Sequence, residues 1–123
     1  MSSILRPTTM TLNDRLAVLG RTQVRLEAVD FASEAGEIQR VGKRFTRVNQ
    51  QYFVPAAMNQ IVLVGPIPQV KTSAVFVRTT FRGAFEARLI RTGKDFVELI
   101  AGEPGGEERL LIPLNKVISV EGR

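Results

Sequence analysis

Cysteine, histidine and tryptophan are all missing from this 123-residue chain. Without cysteine there are no disulfides, thiolate metal sites or thiol nucleophiles, and without histidine the common zinc and general-base constellations fall away as well. Any catalysis would have to rest on carboxylates, lysines or hydroxyls. Also absent is a run approaching the ~20 apolar residues of a membrane span, and the opening MSSILRPTTM lacks the long apolar stretch of a secretory signal. The expectation is an intracellular, cytoplasmic protein with no membrane partner.

What is present is an apolar fraction of 44%, enough for a real core, and a formal charge of +5 from 17 basic and 12 acidic residues. A positive balance suits a nucleic acid or another anionic surface. Thirteen of the basic residues are arginine, scattered singly along the chain, which favours planar phosphate or carboxylate contacts over diffuse lysine attraction.

Near the N-terminus, TTMTLNDRLAVLGRT reads as a short helix. Thr11 can cap it, Asp14 stands at the capping-box position, and Leu12, Leu16 and Leu19 share a face before Gly20 ends the run. From Gln23 the period becomes two: Val24, Leu26 and Ala28 alternate with Arg25 and Glu27. DFASEAG reads as a turn, and EIQRVGKRFTRVNQQYFVP supplies further strands, with Phe45 and Val48 as core residues and Pro55 at a strand end. GPIPQVKTS is a short connector. Strand signals resume in AVFVRTTF, AFEARLI and FVELI, followed by the glycine-rich loop AGEPGGEE and the segments RLLIP and NKVISV.

These segments echo one another. At an offset of 51, Val24 matches Val75, Leu26 matches Val77, Gly42 matches Gly93 and Phe45 matches Phe96. Further on, NQIVLV from Asn59 matches NKVISV from Asn115. A shared order of echoes points to duplication of a small sheet. The expected fold is therefore all-β: two tandem, small, strongly bent antiparallel barrels with a short N-terminal helix, over residues 11–64 and 74–120, joined by a linker at 65–73. Gly42, Phe45, Asn59, Gly93, Phe96 and Asn115 are the repeat-matched structural positions.

The order of helix, strand, turn, glycine-led bent strand, GKDFVEL, loop and LLIPLNKVISV resembles the Sm-like fold, in particular small Sm-like proteins of spore-forming bacteria. The resemblance implies bent five-stranded units whose free edges join into rings of six or seven. Two units per chain then imply a homotrimer forming a six-unit ring, a non-enzymatic assembly role and a connection with sporulation. It also raises the alternative of a single-stranded RNA-binding protein. In RNA-binding rings of this type bases are gripped near an aspartate and an asparagine, then near an Arg-Gly segment. Asp95 matches that aspartate, but Glu98 lies near the asparagine position, Pro113 and Leu114 replace Arg-Gly, and Arg44 stands at the first half's aspartate position.

From the residues themselves, Asp95 at a Gly-Lys turn suits turn capping. Arg40, Lys43, Arg44 and Arg47 could follow phosphates or form a solvated face. Of the adjacent Tyr52 and Phe53 only one can face inward, leaving the other to stack a base or meet another subunit. The asparagines suit backbone contacts at a turn. The three carboxylates of AGEPGGEE lie in a surface loop that fixes neither their separation nor their environments, and no phosphate-binding loop pattern occurs. The chain is expected to be no enzyme and to need no cofactor or metal.

Overall fold

A computed structural model describes residues 8–123. Helix α1, Leu12–Val18, begins where the sequence signals it: the Thr11 hydroxyl accepts from the Asp14 amide, and the Asp14 carboxylate accepts from the Thr11 amide at 3.0 Å. About two turns of helix are not stable alone. Leu12 and Leu16 are accordingly buried in the core, with Leu19 packed beside them.

The first half continues as β1 (Gln23–Ala28), β2 (Phe31–Ala32), β3 (Gly36–Val41), β4 (Thr46–Val48), β5 (Gln51–Phe53) and β6 (Gln60–Leu63). The second half comprises β7 (Ser73–Thr79), β8 (Gly83–Thr92), β9 (Phe96–Ala101), β10 (Glu108–Pro113) and β11 (Val117–Gly122). All belong to one antiparallel sheet in the order β11-β7-β8-β9-β10-β6-β1-β3-β4-β5, with β2 on β1. Two tandem, small, strongly bent barrels were expected. Instead β6 pairs with β10, Ile61 opposite Leu111, so the halves share one open sheet whose ends are β11 and β5.

Within that sheet the halves repeat. Val24 pairs with Gly36 and Val75 with Ala87; one ladder is bulged between Ile38 and Arg40, the other between Leu89 and Arg91. Both sets of ladders keep these partners at the offset of 51 read from the sequence. The halves differ in two connections. DFASEAG is more than a turn: after Asp30 it forms β2, then breaks where Ser33 bonds Leu26 through both its amide and its hydroxyl. β4 and β5 are joined by a two-residue turn with Asn49 and Gln50 at positive φ, as tight hairpins require, whereas β9 and β10 are joined by the long glycine-rich loop.

The closing echo needs correction. Leu26 pairs with Ile61 and its counterpart Val77 with Val120, so Val120 stands where Ile61 stands. Past the irregularity between Val117 and Ser119, Val117 rather than Asn115 falls at the place of Asn59. The letters NQIVLV and NKVISV match, but the ladders slide them apart. Asn59 gives its backbone amide to the Glu27 carbonyl, while the Asn115 side chain donates across the halves to the Ala56 carbonyl.

Two apolar clusters form the core. The first gathers Leu12, Leu16, Val24, Leu26, Ile38, Val48 and Ile61 with Phe96 and Leu111 from the second half. The second gathers Val75, Val77, Leu89, Val97, Leu99 and Leu110 with Val62 from the first half. Each half thus completes the other's core. Val48 is buried as expected, but Phe45 is not: it is 51% exposed where its counterpart Phe96 is 0% exposed, because no neighbouring half covers it.

Removing a side chain that ties α1 to this core should be costly. Leu16→Ala is expected to destabilise by about 3 kcal/mol, whereas Val18→Ala, at an exposed helix position, should change stability by less than about 0.5 kcal/mol. Urea unfolding followed by circular dichroism reads both.

Candidate functional site

The two halves carry the same tight turn, before β4 in the first and before β9 in the second. The Gly42 amide donates to the Phe45 carbonyl at 2.8 Å, and the Gly93 amide donates to the Phe96 carbonyl at the same distance. Their surroundings differ. The second turn is covered by the segment entering α1: the Lys94 amide donates to the Met10 carbonyl at 2.7 Å, and a Cβ on Gly93 would fall 2.6 Å from that oxygen. The first turn takes the Asn13 side chain, which donates to the Gly42 carbonyl, and among the described residues a Cβ on Gly42 would meet nothing nearer than 3.4 Å.

Asp95 caps not its own turn but the helix of the other half. Its carboxylate accepts from the Leu12 amide at 2.7 Å, satisfying one of the amides that a helix start leaves free. Asp95 is therefore engaged structurally, at the position where the resemblance would place a base contact.

Glu98 is also engaged. It has no exposed surface, and it meets three arginines from three elements: Arg15 of α1, Arg91 of β8 and Arg109 of β10. Arg15 binds it in a two-pronged manner, Nε to Oε1 at 2.7 Å and Nη2 to Oε2 at 3.2 Å, while Arg109 Nε donates to Oε2 at 2.7 Å. Burial would raise the carboxyl, but hydrogen bonds and charges from Arg15 and Arg109 outweigh it and hold Glu98 below the usual carboxylate range. Burial also lowers Arg91; Glu98 opposes that shift, and the charges of Arg15 and Arg109 add to it.

This centre escaped the sequence reading, although a signal existed. A glutamate inside the apolar run FVELI must find cations or be expelled. The partner Arg15, 83 residues away, is invisible to local patterning.

The basic residues do come together. Arg40 lies directly opposite Arg47 on β3 and β4, Lys43 and Arg44 occupy the turn between, and Tyr52 lies opposite Arg47 on β5 with the guanidinium 5.9 Å from its ring. Among the described residues none of these four cations forms an ion pair. Phe53 turns inward against the core and Tyr52 outward, 59% exposed. In contrast, two carboxylates of the glycine-rich loop are paired: Glu107 with Arg88 at 2.7 Å and Glu108 with Arg25 at 2.6 Å.

Among the described residues no cluster of acidic side chains could hold a metal ion, and no helix is long and apolar enough to cross a membrane. No family model, curated protein or solved structure matches the chain.

Replacing Glu98 tests the charge centre. Glu98→Gln leaves the arginines without their carboxylate and should cost about 3 kcal/mol near neutral pH. Because the folded carboxyl titrates below its unfolded value of about 4.3, its stabilisation is complete above that value and is lost as pH falls toward the folded value. The gap between wild type and variant should accordingly narrow on acidification. Urea titrations at neutral and acidic pH measure it.

Proposed function

We propose that the chain is a non-enzymatic, self-assembling module of the Sm-like type, whose free sheet edges pair between copies to close a ring. The observation carrying this reading is the junction inside the chain. There β6, the last strand of the first half, pairs with β10, the fourth of the second; a strand of each kind, β11 and β5, remains at the sheet's ends. Unpaired edges expose backbone donors and acceptors that seek a partner. A head-to-tail contact between different surfaces generates a ring when its rotation closes. Three copies would supply six repeated units.

A second reading, binding of single-stranded RNA, is favoured by the four cations gathered beside exposed Tyr52, which form no ion pair among the described residues. Stacking on the ring and phosphate contacts from the arginines would suit an unpaired strand. The engagement of Asp95 and Glu98 in structural contacts favours assembly over RNA.

Light scattering coupled to gel filtration should give a mass well above one chain, near three. A monomer at every concentration would reject assembly. For the RNA reading, a labelled single strand should bind with an affinity that falls steeply with salt. Arg44→Ala with Arg47→Ala should weaken it without altering oligomer size. No binding near physiological salt, or binding indifferent to the double substitution, rejects that reading.

A further inference from the structure

The repeat states which atoms of a second copy should meet this one. At the internal junction Leu111 of β10 lies opposite Ile61 of β6, and Leu110 lies opposite Val62. Leu111 is paired with Glu98 just as Tyr52 is paired with Arg47, so Tyr52 is its counterpart. Ile61 corresponds to Val120 by their pairing with Leu26 and Val77. The side chains that close the internal junction, Phe96 and Leu111, are both 0% exposed, while their counterparts Phe45 and Tyr52 protrude.

The receiving side is equally open. In the first half, α1 covers the core beside Ile61; the second half has a connector where a helix would stand. Among the described residues this leaves a groove of about 330 Å³ whose lining includes Thr8, Val97, Leu114 and Val120. Beside it Leu114 and Ile118 are exposed, Ile118 to 60%. One end of the sheet therefore presents exposed aromatic rings, and the other presents an apolar groove and a strand edge that no other strand pairs among the described residues.

Resting on the assembly reading, we infer that a second copy of this chain docks β5 on β11 in a defined register, Tyr52 opposite Val120 and Gln51 opposite Glu121, with Phe45 entering the groove beside Val120. The internal junction is the template for this contact: it joins the same pair of strand types and buries Phe96, the counterpart of Phe45. The polar contacts are not repeated. Arg47 stands where Glu98 binds Arg15, and Ala56 stands where Asn115 bridges the halves. The contact between copies thus depends on Phe45 and Tyr52 and is weaker than the internal one.

Absence of native cysteine makes the register directly testable. Tyr52→Cys and Val120→Cys proteins are mixed and mildly oxidised, and a mixed covalent dimer is read by mass; Tyr52→Cys mixed with Ile118→Cys is the out-of-register comparison. Phe45→Ser, at an exposed position, should keep the melting temperature yet raise the concentration for half-assembly about tenfold or more, as loss of a buried aromatic anchor does. An efficient 52–120 link and a dissociating Phe45→Ser are the expected results. If the wild type is oligomeric but the 118 pair links better, the Tyr52→Cys protein links mainly to itself, or Phe45→Ser assembles normally, this docking is overturned while the assembly reading stands. A wild type that is monomeric throughout overturns both.

Discussion

A carboxylate without exposed surface needs cations around it, and Glu98 obtains them only by drawing three elements together. Arg15 arrives on α1, Arg91 on β8 and Arg109 on β10. The helix that covers the first half is thereby fixed to a strand of the second, and Asp95 reinforces the tie by capping the same helix. An apolar residue at position 98 could fill the space, but it would not select this placement of α1. Three cations around one anion leave an excess of positive charge that the partly exposed Arg91 and Arg109 share with solvent.

The two halves show what one backbone plan does with and without a neighbour. Bulge, turn and ladder register coincide, yet chemistry at matched positions diverges: Glu98 against Arg47, Phe96 against Phe45, Leu111 against Tyr52. Each second-half residue is buried against the first half. The first-half residues lie at the sheet's end, where like charges sit opposite one another at Arg40 and Arg47 with no ion-paired carboxylate among the described residues, an arrangement that is unfavourable in isolation.

Much of this was legible in the letters. Thr11 and Asp14 encode the capping box by local chemistry alone, and the matched glycines and aliphatics gave the repeat its register through the first ladders of each half. Two things were not legible. Asn59 and Asn115 share six-letter surroundings, but the longer β9–β10 loop and the bulge before Ser119 shift the last strands, and letters do not record a slide between ladders. Whether Phe45 is covered depends on a neighbouring half at the end of the sheet, a fact of topology rather than of local pattern. Burial of Glu98 likewise required knowing that β6 and β10 join the halves.

That junction also explains why one chain carries two halves instead of one. A single five-stranded half would expose both a fourth-strand and a fifth-strand edge, together with an aromatic residue and an uncovered core. The internal junction satisfies one such pair, where the connector holds the partners at high effective concentration and where Arg15 with Glu98 ties the halves. The remaining pair kept simpler means: a three-residue strand, an exposed phenylalanine and a tyrosine. Under the assembly reading so short an edge would bury little surface, which suits reversible contact.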